Sequence, residues 1–151
     1  MKVDLRDGRT AYGRQLEGVE VEFFDLAVEA ELTDVQVLRS TPVAFRLWVM
    51  DRAFRRNHWP RVGALPLADS ETDREQRYFR QDALSGELFI YTSRPATGES
   101  HETPATGEEL HGLECAAVWG PEHVEDRLRD HFDGRPNGWE ESLRPRPSPP
   151  G

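Results

Sequence analysis

A mainly β, α+β fold is predicted: an antiparallel sheet or small β-barrel with one C-terminal helix packed on it. Three observations predict it. Short apolar runs with a two-residue period recur up to residue 119, turn dipeptides punctuate them, and one stretch after residue 120 carries the 3.6-residue period of an amphipathic helix. Many short strands followed by one late helix make a sheet the main layer, because a half-apolar strand must bury its face against a neighbour.

Val3 and Leu5 lead into Asp7-Gly8, a two-residue hairpin signal, and a second strand follows over Thr10–Leu16. Glu17-Gly18 turns the chain again. Val19, Val21 and Phe23 then alternate with Glu20 and Glu22, the pattern of a half-buried strand. Thr33-Asp34 is placed to cap a short helical turn carrying Val35 and Leu38. Val43, Phe45, Leu47 and Val49 alternate with Ala44, Arg46, Trp48 and Met50, and apolar bulk on both faces makes this strand central. A further strand is expected from Trp59 to Leu67, with Pro60 and Pro66 holding it at an edge.

Residues 68–75 are polar and expected at the surface. Tyr78-Phe79 and Leu88–Tyr91 read as two strands joined across Ser85-Gly86, and residues 93–107, rich in Ser, Thr, Gly, Pro and Glu, as the longest loop. Leu113, Cys115 and Ala117 alternate into a last strand ending at Trp119. The helix begins with Gly120 at the cap, Pro121 at the first helical position and Glu122 and Glu125 near its positive end. Val124, Leu128 and Phe132 form its apolar stripe, and Gly134 ends it in a left-handed conformation.

One domain is expected over residues 1–143, with 144–151, which hold four prolines and no large apolar residue, as an unpacked tail. The chain has 151 residues and a net charge of −9. No apolar run is long enough to span a membrane, and a single cysteine, Cys115, excludes an internal disulfide. A cytoplasmic location is therefore expected. The negative charge opposes binding to nucleic acid or anionic membranes, neither of which is expected as a partner.

Chemistry-bearing motifs are scarce. There is no phosphate-binding glycine loop, nucleophile elbow or paired-cysteine signature. His123, Arg127 and His131 share one helix face, but the two histidines lie about 12 Å apart along the axis, too far for one ion. No metal, cofactor or catalytic residue is expected, and Cys115 reads as a small hydrophobe within a strand.

Charge is more informative. Residues 39–61 hold six Arg and one Asp, whereas residues 98–141 hold twelve Asp+Glu and three Arg. The second imbalance reads as a docking surface for a basic protein, since complementary potentials speed association and fix orientation. Its candidate residues are Glu122, Glu125, Asp126, Asp130, Asp133, Glu140 and Glu141, with Trp139 as the apolar anchor. Two rival readings exist. One is a small RNA-binding or ribonuclease barrel using Arg14, Arg55, Arg56 and His58. The other is a regulatory barrel whose aromatic pocket (Phe24, Trp48, Trp59) holds a small molecule.

Three blocks carry a resemblance. Asp7-Gly8-Arg9-Thr10-Ala11-Tyr12-Gly13-Arg14, Pro42-Val43-Ala44-Phe45-Arg46-Leu47-Trp48-Val49-Met50, and the late run from Leu113 to Leu128 together resemble the immunity protein 26 family. The resemblance implies a mostly β protein, encoded beside a toxin gene in a bacterial polymorphic toxin system, that neutralises the cognate toxin. It implies no catalytic residues. The expected partner is that toxin, a basic protein for which a nuclease is one candidate, bound by a chain that is itself a monomer or weak dimer.

Overall fold

The computed structural model describes residues 1–147, and its largest element is a curled five-stranded half-barrel. Strands β1 (Lys2–Asp4), β2 (Thr10–Gln15), β3 (Glu20–Val28) and β4 (Val43–Val49) are antiparallel neighbours in that order, and β8 (Val118–Trp119) adds in parallel to β4. A second, three-stranded antiparallel sheet holds β5 (Gln76–Gln81), β6 (Leu88–Arg94) and β7 (Glu99–Ala105). The helices are α1 (Asp69–Thr72), α2 (Pro121–Phe132) and α3 (Gly138–Ser142). The mainly β fold with a C-terminal helix is as expected.

Register places Gly13, Phe23 and Phe45 side by side, and Arg14, Glu22 and Arg46 side by side one residue on. Because side chains alternate across a strand, these two rows face opposite ways. On the first face Val21, Phe23, Phe45 and Leu47 join Trp59, Trp119 and α2's Val124 and Leu128 in the main core. Val124 and Leu128 are fully buried, worth about 1.5–3 kcal/mol each. The second face is covered by the three-stranded sheet, where Trp48 packs on Tyr78 with centroids 4.2 Å apart and edge-on to Tyr91. A smaller cluster of Tyr12, Phe24 and Leu38 completes that face.

This layering corrects the reading of β3. Both of its faces are buried: Glu20 is 1% exposed and Glu22 2%. Four further expectations are corrected. The first hairpin closes through a three-residue loop, Arg6-Asp7-Gly8, with Leu5 N–H donating to Arg9 O at 3.0 Å and Arg6 and Gly8 at positive φ. Residues 59–67 are not a strand; prolines at 60 and 66 remove donors, and only Lys2 N–H to Pro60 O (2.9 Å) links this stretch to β1. Residues 93–107 are not a loop, since β7 pairs with β6 along its whole length while its side chains stay almost entirely exposed. The strand expected from Leu113 is only Val118–Trp119, with Cys115 making a single bridge to Phe79.

Other expectations hold. Asp34 caps a 3-10 turn over Val35–Ser40 by accepting from Gln36 N–H at 2.9 Å, and Leu38 is buried. Gly120 precedes α2, Pro121 opens it, and Gly134 follows at φ 67. Within the stretch expected as an unpacked tail, Arg146 instead exchanges two 2.8 Å hydrogen bonds with the Gln81 side chain. Residues 148–151 of the expected tail lie outside the described residues.

Candidate functional site

The acidic segment begins in β7 and the turns after it, and its candidate docking residues fall in α2, a left-handed turn and α3. Asn137 joins the two helices: its Oδ1 accepts from Glu140 N–H (3.0 Å) while its Nδ2 donates to Asp130 Oδ2 (2.8 Å). Buried at that junction, Asn137 holds the short α3 rigidly against α2. Trp139, 45% exposed, lies flat on His123 with ring centroids 3.9 Å apart and donates from Nε1 to Asp126 at 3.3 Å.

Arginines from distant parts of the chain meet the carboxylates. Arg52 grips Glu122 with both terminal nitrogens, at 2.7 and 2.6 Å. Arg9 reaches Asp133 at 3.1 Å, Arg135 bridges Asp130 and Asp133, and Arg129 pairs with Asp126. Glu140 stands 3.6 Å from Arg127. Glu141 makes no ion pair among the described residues and is exposed. Glu125 is placed differently from the rest. Only 4% exposed, it accepts from Trp59 Nε1 (3.0 Å) and contacts His58 Nε2 (2.9 Å), so it fastens the core instead of facing outward.

The Arg52 clamp holds the Glu122 carboxyl well below its ordinary range, down to about 2. A carboxylate depressed in this way contributes fully at neutral pH, starts to lose its contribution below the unfolded value of about 4.5, and has lost it once pH passes about 2. Carboxyl-resolved NMR titration of the chain is expected to show this low midpoint, and Arg52→Ala to return it to the ordinary range. An ordinary midpoint in the unmodified protein would refute the clamp.

The residues of the rival readings are engaged elsewhere. Arg14 is held by Glu22 and Glu71, Arg55 by Asp51, and His58 by Glu125, while Arg56 adopts φ 50 in a turn. Phe24, Trp48 and Trp59 fall in three separate places: the small second-face cluster, the contact with Tyr78, and the main core. Arg127 is buried, bonded twice to Glu114 and 4.2 Å above the Phe45 ring. His131 contacts Asp25 at 2.8 Å, and among the described residues no three His, Cys, Asp or Glu side chains gather as metal ligands. Burial raises the Cys115 thiol, which keeps it protonated. Among the described residues no helix is long and apolar enough to cross a membrane.

One polar cluster escaped the sequence. Glu22 takes Arg14 and Arg46 from the strands on either side, and Glu20 takes Arg74 and the Tyr78 hydroxyl (2.5 Å) between the two sheets. Burial pushes the Tyr78 phenol upward, so it stays a donor. For Glu22 the available signal is an arginine at the matching position of each neighbouring strand; Glu20 has no such signal, since its register partner in β4 is Trp48.

Residues 1–89 match the sequence model of the family described as Immunity protein 26. The match takes in the first two resembling blocks and ends before the third, at 113–128. No curated protein and no solved structure matches the chain.

Proposed function

Because the chain belongs to the immunity protein 26 family, we propose that it binds and neutralises a cognate polymorphic toxin in the bacterial cytoplasm, by occluding it and with no catalysis of its own. The docking surface is the outer face of α2 and α3: Glu122, Asp126, Asp130, Asp133, Trp139, Glu140 and Glu141. The observation that carries this reading is Trp139, a half-exposed indole stacked flat on His123 and hydrogen-bonded to the Asp126 carboxylate. Tryptophan is among the residue types most enriched in interface hot spots, and the carboxylates beside it would lie toward the polar rim, where they steer a basic partner. Most of the surrounding carboxylates already hold arginines, yet exposed pairs of this kind are worth only about 0–1 kcal/mol each. Lysines or arginines of a basic toxin can therefore compete for them. Glu125 lies outside the surface because it is buried.

The test is calorimetric titration with the product of the neighbouring toxin gene. Glu122→Lys, Asp126→Lys and Glu141→Lys together are expected to weaken binding by at least about tenfold, with the loss largest at low salt. Trp139→Ala is expected to cost about 2 kcal/mol of affinity. Asp130 is left intact because it anchors Asn137. Unchanged affinity in both variants would remove this face from the interface.

A further inference from the structure

A concavity lies away from the acidic face, under the strap formed by residues 61–67. It has a volume of about 760 Å³, within the range typical of small-molecule sites. Val35, Leu38, Phe54, Trp59, Leu65 and Leu67 supply its apolar walls. Although the chain carries 28 Asp+Glu, none of them is among the lining residues, while Arg14 and Arg61 are. For a protein of net charge −9 this is the exceptional surface.

The strap is fixed through its carbonyls. Gln36 Nε2 donates to Ala64 O and Arg14 Nη1 to Leu65 O, both at 3.4 Å. Gly63 presses so closely on Val35 that a Cβ there would stand 2.7 Å from a Val35 methyl. The backbone N–H groups of residues 61–65 and 67 donate to no acceptor among the described residues. Arg14 is already spent on Glu22, Glu71 and the strap, so it positions the wall. Arg61 is exposed and forms no ion pair among the described residues.

We propose that this groove binds a small amphipathic anion. Its aromatic or alkyl body lies against Val35, Leu38, Phe54 and Trp59, and its carboxylate, sulfonate or phosphate group sits at Arg61. The apolar walls supply affinity by desolvation, and donors without competing acceptors select the charge. This inference stands apart from toxin binding.

The test uses the full chain and two fluorescent probes that share one ring system: 1-anilinonaphthalene-8-sulfonate and the uncharged N-phenyl-1-naphthylamine. The sulfonate is expected to saturate a single site and to bind about tenfold tighter than the neutral probe, the size of one charge-assisted hydrogen bond. Arg61→Ala should remove that advantage and leave the neutral probe's affinity unchanged. Gly63→Val, which displaces the strap, should weaken both, with circular dichroism confirming that the fold persists. Equal affinity for the two probes, indifference of the sulfonate to Arg61→Ala, or absence of saturable binding would each overturn the proposal.

Discussion

Truncation of Phe23 to alanine is expected to lower the unfolding free energy by about 3–5 kcal/mol, a large share of the ~5–15 kcal/mol typical of a domain. Phe23 is fully buried, with ring centroids 5.5 Å from Phe45 and 5.7 Å, edge-on, from Trp59. Its strand is hydrogen-bonded to β2 on one side and β4 on the other, so neither backbone is free to close over the cavity. Gly13, opposite Phe23 in β2, has no side chain to fill the space. Denaturant midpoints at constant m-value would measure the loss, and a change below about 1 kcal/mol would show that this face is not the main core.

The second large effect concerns the buried row Arg14–Glu22–Arg46. Glu22→Ala is expected to cost about 3 kcal/mol, because removing one partner of a buried ion pair strands the charges that remain. Arg14 suffers most, its side chain only 17% exposed, whereas Arg46 already reaches water. Replacing the whole row, with Arg14→Met, Glu22→Leu and Arg46→Met together, should destabilise less than Glu22→Ala alone, since no buried charge is left unpaired and Glu71, which also loses Arg14, already reaches water. If the triple variant is clearly the less stable, the row is a net source of stability, and the penalty of the single variant is not an artefact of stranded arginines.

Much of the fold was legible where one periodicity coincided with one burial pattern. Val43–Val49 and the Val124–Leu128 stripe declared themselves because their apolar spacing matches the faces they bury. Errors arose where burial came from the second sheet. Glu20 and Glu22 look solvent-facing when β3 is read alone, and only the arginines of other elements make their interior position affordable. Strand β7 went unseen for the opposite reason: as an edge strand with exposed side chains it has no apolar alternation, and its pairing rests on backbone groups. The run from Trp59 to Leu67 has a strand's composition, but its prolines withhold donors and the chain becomes a strap.

The candidate surface was legible in composition and not in geometry. The acidic excess of residues 98–141 is real, but Arg6, Arg9 and Arg52, far away in sequence, return to contact Glu125, Asp133 and Glu122. Nothing in a local window shows that return. Trp139 stacked on His123, sixteen residues apart on two helices, depends on the Asn137 junction and is equally invisible there.

Titration of the purified, unmodified chain into the product of the gene adjacent to its own tests the proposed toxin neutralisation most directly. A one-to-one complex that tightens as salt is lowered, and in which the toxin loses its activity, is the predicted result. An absence of heat at every salt concentration, with the toxin fully active beside an excess of this protein, would contradict it.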